Sequence, residues 1–340
     1  MTDYSDLVAR ARGLSGHLLP AEQLVSLCSC PATQLPAQLA TLGAIAPDAM
    51  VRESDGRQDV HGLERALRDR EAQRLQILAR WSGTRYDTLA VLFDEEDMRS
   101  LRALVRAIVS GVAPEDRATG LIATPGLPTR ALHALASSGD VANVASLLVA
   151  WQNPYGSAMA VEAARARPEL LRYDVALARV FADRARKASR HNSMLRHYAE
   201  RVIDLANLWT ALVLADHSTD VDVASLFVEG GTLVRASDLA LAVSAARREP
   251  LVTRLLPRVA GTPLASALAV DDGRDAEDCA LEALVVEFRA LARREPTSVA
   301  PVIAFVLQQR AELRTLLRIV WSVSLGVPSA MIRRSAGVAA

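Results

Sequence analysis

The chain has 340 residues, 51% of them apolar, so it can bury a substantial hydrophobic core rather than remain disordered. Its 39 basic and 39 acidic side chains give a formal net charge of zero, which argues against long-range attraction to nucleic acid or to an anionic membrane surface. No apolar stretch approaches the roughly 20 residues of a membrane-spanning helix, so we expect a cytoplasmic protein that reaches a membrane only through a protein partner.

Few residues of the sequence suit catalysis or cofactor binding. Lys187 is the only lysine and does not follow a glycine-rich loop, which excludes a P-loop and argues against a Schiff-base enzyme. Cys28, Cys30 and Cys279 cannot all pair and have no histidines at ligand spacing nearby, so we interpret them as reduced core cysteines. The sequence therefore predicts no catalytic residue, no cofactor and no metal.

The predicted elements are helices. Glycine and proline are absent between Gly83 and Gly111 and again between Pro168 and Gly230, and these stretches are rich in Ala, Leu, Arg and Glu. Alternation of apolar and polar residues is rare, and aromatic residues make up only 4% of the chain, so strands are not indicated. The pattern predicts an all-α fold with long helices.

One helical pattern occurs three times along the chain. Each copy opens with an acidic residue, and the separations between these acids are 107 and 108 residues. Apolar residues follow each acid at helical spacing, which predicts one buried helix face per copy. The three acids, each with the leucine four positions later, are Asp97 with Leu101, Asp204 with Leu208, and Glu312 with Leu316.

Two further signals keep the same period. In the first and third copies, Gly111 and Gly326 follow 14 residues after the acid, and a proline comes soon after, which is typical of a helix end. A shorter apolar pattern begins near a proline in two copies, where it predicts the first turn of a helix. Its three occurrences start at Leu19-Pro20, Leu127-Pro128 and Val234-Arg235.

Units of about 107 residues are far longer than the repeats of helical solenoids, so three domain-sized copies favour closure around a pseudo-threefold axis or a short curved array. We predict three similar helical repeats, over residues 1–115, 116–222 and 223–340.

With these repeats aligned, the chain resembles the C subunit of the V/A-type rotary ATPases and ATP synthases, the counterpart of the d subunit of eukaryotic V-ATPases. Three segments carry the resemblance: 93–106, 198–208 and 301–332. The last segment is the most specific. It predicts a long helix in which Glu312 is followed by Leu-Arg, and the sequence Gly-Val-Pro, beginning at Gly326, is expected to end that helix.

The resemblance implies a funnel of three similar helical subdomains. It also implies a mechanical coupling role in which the subunit itself catalyses no reaction. Members of this family sit on the membrane proteolipid ring and receive the tip of the central stalk, which contains the D- and F-type subunits. The implied function is that of a socket coupling rotor shaft to ring during proton or sodium ion transport, peripheral to the membrane. Without the resemblance, a cytoplasmic helical scaffold or adaptor would be the next interpretation.

Two groups of acidic residues have competing interpretations. Asp97, Asp204 and Glu312 could form an ion or partner site, but their equivalent positions inside long helices favour structural contacts at the seams between repeats. The sequence Asp271-Asp272-Gly273-Arg274-Asp275 matches the D-D-x-x-D pattern by which isoprenoid synthases hold magnesium and diphosphate. That pattern requires a helix, whereas Gly273 argues for a turn, so we do not favour an isoprenoid-type enzyme using Asp271, Asp272 and Asp275.

Partner-binding residues are predicted from charge and from position in the repeat. Arg186, Lys187 and Arg190, followed by Arg196 and Arg201, form a basic patch on the predicted long helix of the second repeat, and could dock the stalk or the ring. The turns near Gly111, Ser218 and Gly326 occupy equivalent places in the repeats and could line one opening.

Overall fold

The computed structural model describes residues 3–47, 59–165, 169–216, 222–245, 247–270 and 273–337. These ranges contain helices and connecting turns and no β-strand, which confirms the predicted all-α class. The helices of the first half are α1 (Ser5–Ser15), α2 (Ala21–Cys28), α3 (Leu35–Thr41), α4 (Val60–Ser82), α5 (Tyr86–Val109), α6 (Pro114–Arg117), α7 (Thr129–Ala136), α8 (Val141–Ala150) and α9 (Gly156–Ala163). Those of the second half are α10 (Leu170–Ala188), α11 (Ser193–Asp216), α12 (Ala236–Ala245), α13 (Arg248–Val259), α14 (Pro263–Leu268), α15 (Gly273–Arg294), α16 (Ala300–Ser324) and α17 (Ser329–Ser335).

Three of the longest helices carry the repeated pattern. Helix α5 contains Asp97, α11 contains Asp204 and α16 contains Glu312. The repeated leucines on these helices are all buried in the core: Leu101, Leu208 and Leu316. Burying a leucine side chain contributes roughly 1.5–3 kcal/mol, so the apolar face behind each acid fixes how its helix packs.

The packing partners of these helices come from distant parts of the chain. Helix α5 packs on α10, while α16 packs on α15, α4 and α1, and also contacts α2 and α17. The surroundings of α16 are therefore built from both ends of the chain. The division at residues 115 and 222 remains a prediction.

Two of the long helices end in the same way. Gly111 and Gly326 follow α5 and α16 with left-handed backbones, at φ values of 71° and 70°. The amide of Val112 donates to the carbonyl of Ala107 at 2.9 Å, and that of Val327 donates to Ser322 at 2.9 Å, so both ends form the glycine-dependent Schellman turn. Glycine adopts this backbone without the steric cost that a Cβ atom would bring.

Proline marks the start of two short helices, although not at the expected position. Pro20 and Pro128 stand immediately before α2 and α7 with extended backbones, whereas the sequence suggested the first turn. The loops that end at these prolines contact the acids of the repeated pattern, as described below. No helix within the described ranges combines the length and apolarity needed to cross a bilayer.

Candidate functional site

Asp204 holds the loop that leads into α12. Its carboxylate accepts hydrogen bonds from three consecutive backbone amides, those of Thr232, Leu233 and Val234, at 3.1, 2.9 and 3.0 Å. The residue is completely buried. Gly231 has no Cβ atom, and one placed there would collide with the Asp204 carboxylate. The acid and the following loop therefore form one structural unit.

Asp97 makes the corresponding contact before α7 through a threonine. The Thr124 hydroxyl donates to Asp97 and accepts hydrogen bonds from the amides of Gly126 and Leu127 at 3.1 and 3.0 Å. Burial raises the pKa of Asp97 to about 8, although the hydrogen bond from Thr124 acts in the opposite direction. The group favours its protonated form near neutral pH.

Glu312 makes the third contact of this kind, with a loop near the N-terminus of the chain. It accepts a hydrogen bond from the Leu19 amide at 2.6 Å, directly before Pro20, and from the guanidinium groups of Arg74 and Arg70 at 2.8 and 3.3 Å. Each of the three acids thus binds the loop that precedes a short helix of the next predicted repeat. In all three cases the acid makes a structural hydrogen bond to the chain itself.

The three long helices α5, α11 and α16 meet at Glu95. Arg310 donates two hydrogen bonds to this carboxylate, each 3.0 Å long, and a third to Glu96 at 3.2 Å. The Tyr198 hydroxyl also donates to Glu95, and all four side chains are buried. Burial alone would raise the pKa of Glu95, but the charges of Arg310 and Arg99 outweigh it and lower the pKa.

A further carboxyl adjoins this junction from α4. Burial and the charge of Glu96 raise the pKa of Glu71 to about 7. Within the described part of the chain, Glu71 Oε2 is buried without a hydrogen-bond partner. Gln309 donates to the backbone carbonyl of Glu71 at 3.3 Å, which ties α4 to α16 next to the acid.

A hollow opens above this junction. Its narrow end has a volume of about 90 Å³ and reaches Glu95, Tyr198 and Arg310. Its wide end has a volume of about 430 Å³ and extends to Arg106 on α5 and Val213 on α11. The two parts share lining residues, among them Arg99, Arg102 and Trp209. The larger part of the hollow therefore lies toward the C-terminal ends of α5 and α11, and the ion-paired Glu95 and Arg310 line its narrow end.

Exposed apolar side chains lie at the same ends of the long helices. They are Val109 at the end of α5, Val213 near the end of α11 and Leu325 just after α16, with exposed fractions of 57%, 43% and 75%. Gly111 and Gly326 lie beside two of them. The expected third turn, at Ser218, lies outside the described residues.

The predicted basic patch is divided between two helices. Arg186 and Lys187 are exposed in the last turn of α10, and Arg190 is exposed in the connection to α11, so the long helix predicted there is interrupted. Arg186 pairs with Asp183 at 2.5 Å. Arg201 is half-buried on α11 and contacts Glu287 at 3.4 Å, so it does not extend the exposed patch.

The acidic motifs do not form a metal site among the described residues, where no group of three potential ligands converges. Asp94, which lies three residues before Asp97 in an unbroken run of four acidic residues, pairs with Arg184 through hydrogen bonds of 2.8 and 2.9 Å. Asp271 and Asp272 lie outside the described residues. Helix α15 begins at Gly273 and includes the backbone of Asp275, so the turn expected at this glycine was wrong.

Sequence reasoning missed the Glu95–Arg310 junction and the hollow above it. A signal was present, because both residues stand two positions before an acid of the repeated pattern, Asp97 or Glu312, and carry opposite charges. Equivalent positions of a closed repeat lie near one another when they face its centre. The equivalent residue of the remaining copy is Val202, which lines the narrow end of the hollow.

Comparison with known proteins identifies the family of the chain. The model of the ATP synthase (C/AC39) subunit family matches residues 7–335. The chain belongs to this family. It is 27% identical over 260 residues to the C subunit of an A-type ATP synthase of Haloferax volcanii, with 74% of each chain covered. It is also 27% identical over 274 residues to the C subunit of a V-type ATP synthase of Deinococcus radiodurans, covering 79% of this chain and 76% of that one. The family match therefore covers nearly the whole chain, including every residue that lines the hollow.

Proposed function

We propose that this chain is a non-catalytic central-stalk subunit of a V/A-type rotary ATPase, acting as a socket that couples the rotor shaft to the membrane proteolipid ring. The observation that carries the proposal is the family match over residues 7–335. The names of the relatives assign them to ATP synthases as the C subunit. In this proposal the chain works in the cytoplasm, at the membrane surface but not across it.

The hollow is the feature best suited to receive a shaft. It widens from the Glu95 junction toward Arg106 and Val213, and the exposed Val109 lies one turn beyond Arg106 on α5. Exposed apolar side chains next to a recess are typical of a surface that a partner covers. The proposed occupant is the tip of the stalk formed by the D- and F-type subunits.

Torque transmission requires a body that does not deform between its two partners. The ion pairs of Arg310 with Glu95 and Glu96 join α5 to α16, and Tyr198 joins α11 to the same carboxylate. Buried charges that are hydrogen-bonded to each other hold their geometry, because separating them would leave each charge buried without its partner. A junction of this kind at the narrow end of the hollow supports the proposed transfer of load between the three long helices.

The test is capture of the tagged chain from gently solubilised membranes, with mass spectrometry of the proteins that copurify. The proposal expects D- and F-type stalk subunits and the proteolipid. A tagged Leu208→Asp chain supplies the background, because Leu208 is completely buried and a charge there should prevent folding. Equal recovery of these proteins by both chains, or their absence from the wild-type sample, would refute the proposal.

A further inference from the structure

The hollow carries more positive charge than its own carboxylates neutralise. Its two parts are lined by six arginines and three carboxylates. The arginines are Arg99, Arg102, Arg106, Arg248, Arg310 and Arg314, and the carboxylates are Glu95, Asp174 and Glu277.

Four of them are occupied within the chain. Arg310 binds Glu95 at 3.0 Å, and Arg106 binds Asp174 at 2.7 Å. Arg248 binds Asp216, beyond the lining, at 2.5 Å. Arg314 binds Asp278 at 2.9 Å and the lining residue Glu277 at 3.2 Å.

Arg99 and Arg102 remain incompletely satisfied. The nearest carboxylate oxygen to Arg99 in the described part of the chain is that of Glu95 at 3.8 Å, and Glu95 already accepts from Arg310 and Tyr198. Arg102 donates to the backbone carbonyl of Asp174 at 3.0 Å and lies 3.6 Å from its carboxylate. Its Nε is buried without a hydrogen-bond partner among the described residues. A guanidinium group has five donors in a planar fork that matches a carboxylate.

Apolar side chains also line the wide end of the hollow. Trp209 and Val213 of α11 line the wide end, together with Leu171 and Val175 of α10. A volume of about 430 Å³ accepts a few side chains and not a whole helix. The lining therefore fits the end of a helix that presents apolar residues on one side and acidic residues on the other.

We propose that Arg99 and Arg102 form a carboxylate-binding site that receives aspartate or glutamate side chains from the tip of the central stalk, with the apolar residues of that tip against Trp209. This proposal rests on the proposed function, since it names the chemistry of the shaft in the socket. Lowered access to water inside the hollow strengthens each charge pair relative to one on an open surface.

The test is the affinity of the full chain for the purified D/F-type stalk subcomplex from the same organism, measured by calorimetry at several salt concentrations. Arg99→Gln and Arg102→Gln are each expected to weaken binding about tenfold and to reduce its salt dependence. The matched control is Arg80→Gln, an exposed arginine at the end of α4 that does not line the hollow, and it should bind as wild type does. Circular dichroism and thermal melting of each variant exclude loss of fold as the cause.

The outcomes separate the two proposals. If the wild-type chain does not bind the stalk subcomplex, the proposed function fails. If wild type binds, but both folded glutamine variants bind equally well with the same salt dependence, the carboxylate site is refuted while the socket stands. If a glutamine variant does not fold, Arg99→Lys and Arg102→Lys replace it. Lysine keeps the positive charge but lacks the planar guanidinium group that can bind both oxygens of a carboxylate. Affinity within a factor of two of wild type for both lysine variants would then overturn the proposed guanidinium–carboxylate recognition.

Discussion

Arg310 and Glu95 form a doubly hydrogen-bonded ion pair across 215 positions of sequence, with both bonds 3.0 Å long. The pair joins the first and third copies of the repeated helix, and Tyr198 brings the second copy to the same carboxylate. Because Glu95 and Arg310 stand at the same position of the repeated pattern, two copies of that pattern meet there with opposite charges. The ion pair at the narrow end of the hollow depends on this difference between the copies.

Arg310→Met should destabilise the protein strongly. The substitution removes the cation and leaves Glu95 and Glu96 buried without their partner, which typically costs about 3–5 kcal/mol. We expect a clearly lower midpoint of urea unfolding, measured by circular dichroism at neutral pH. Arg314→Met is the control, because that arginine is partly exposed and such pairs contribute about 1 kcal/mol or less. Equal loss in the two variants would contradict a special role for the Glu95 pair.

The raised pKa of Glu71, about 7, predicts that stability decreases as the pH rises. Between the ordinary glutamate value of about 4.5 and 7, the folded chain holds a proton on Glu71 that the unfolded chain has released. The unfolded state then binds fewer protons than the native state, so the free energy of unfolding falls with pH, by at most about 1.4 kcal/mol per pH unit for this group. The stabilisation that the protonated Glu71 side chain contributes is complete below pH 4.5 and is lost above about pH 7.

Glu71→Gln tests this dependence, because glutamine stays neutral at every pH. Relative to wild type, the variant should gain stability between pH 5 and pH 8, measured as the shift in urea midpoint at each pH. Glu115→Gln, at an exposed position on α6, controls for the loss of one surface charge. A Glu71→Gln curve parallel to that of wild type over this range would show that the raised pKa is wrong.

Local features of the structure could be predicted from the sequence, because their causes are local. The absence of glycine and proline and the helical spacing of Leu101, Leu208 and Leu316 indicate helices wherever their partners lie. A glycine after an apolar helix, as at Gly111 and Gly326, marks a helix end because only the chain immediately before it is involved. All-α class and long helices follow from such signals alone.

Contacts between distant residues could not be predicted in the same way. Glu312 binds the Leu19 amide, and Arg310 binds Glu95, across most of the chain. The repeat spacing gives Glu95 and Arg310 equivalent positions, but equivalence alone does not show that two side chains touch. The sequence revealed both the repeated acid and the repeated Leu-Pro pattern without showing that they touch. The break between α10 and α11 was also missed, because residues 189–192 contain neither glycine nor proline.

Gly111→Ala should destabilise the end of α5. The left-handed backbone at Gly111, with φ of 71°, brings a Cβ atom too close to the carbonyl oxygen and costs roughly 1–2 kcal/mol. Gly120→Ala is the matched control, since that glycine lacks a positive φ and has open space where its Cβ would be placed. We expect a lower midpoint of thermal unfolding for Gly111→Ala only. Similar midpoints for the two variants would contradict the backbone argument.

Asp204→Ala should be among the most damaging single substitutions in this chain. The change leaves the amides of Thr232, Leu233 and Val234 without their acceptor, and of these residues Val234 is buried, Leu233 is partly buried and Thr232 is exposed. A buried donor left unsatisfied costs about 1–3 kcal/mol, so the loss at Val234 and Leu233 together should exceed the effect of most point mutations. We expect a sharply lower thermal midpoint and faster proteolytic cleavage of the loop before α12, which the carboxylate otherwise holds against α11.

Asp222→Ala provides the comparison for this loop. Asp222 also accepts a backbone hydrogen bond, from Ala224 at 3.1 Å, but it does so at an exposed position where water can replace it. Its loss should lower the midpoint by only a few degrees and leave cleavage of the loop close to the wild-type rate. If Asp222→Ala were as harmful as Asp204→Ala, the damage would come from losing any acid near the loop. A large difference would assign it to the three amides that Asp204 binds.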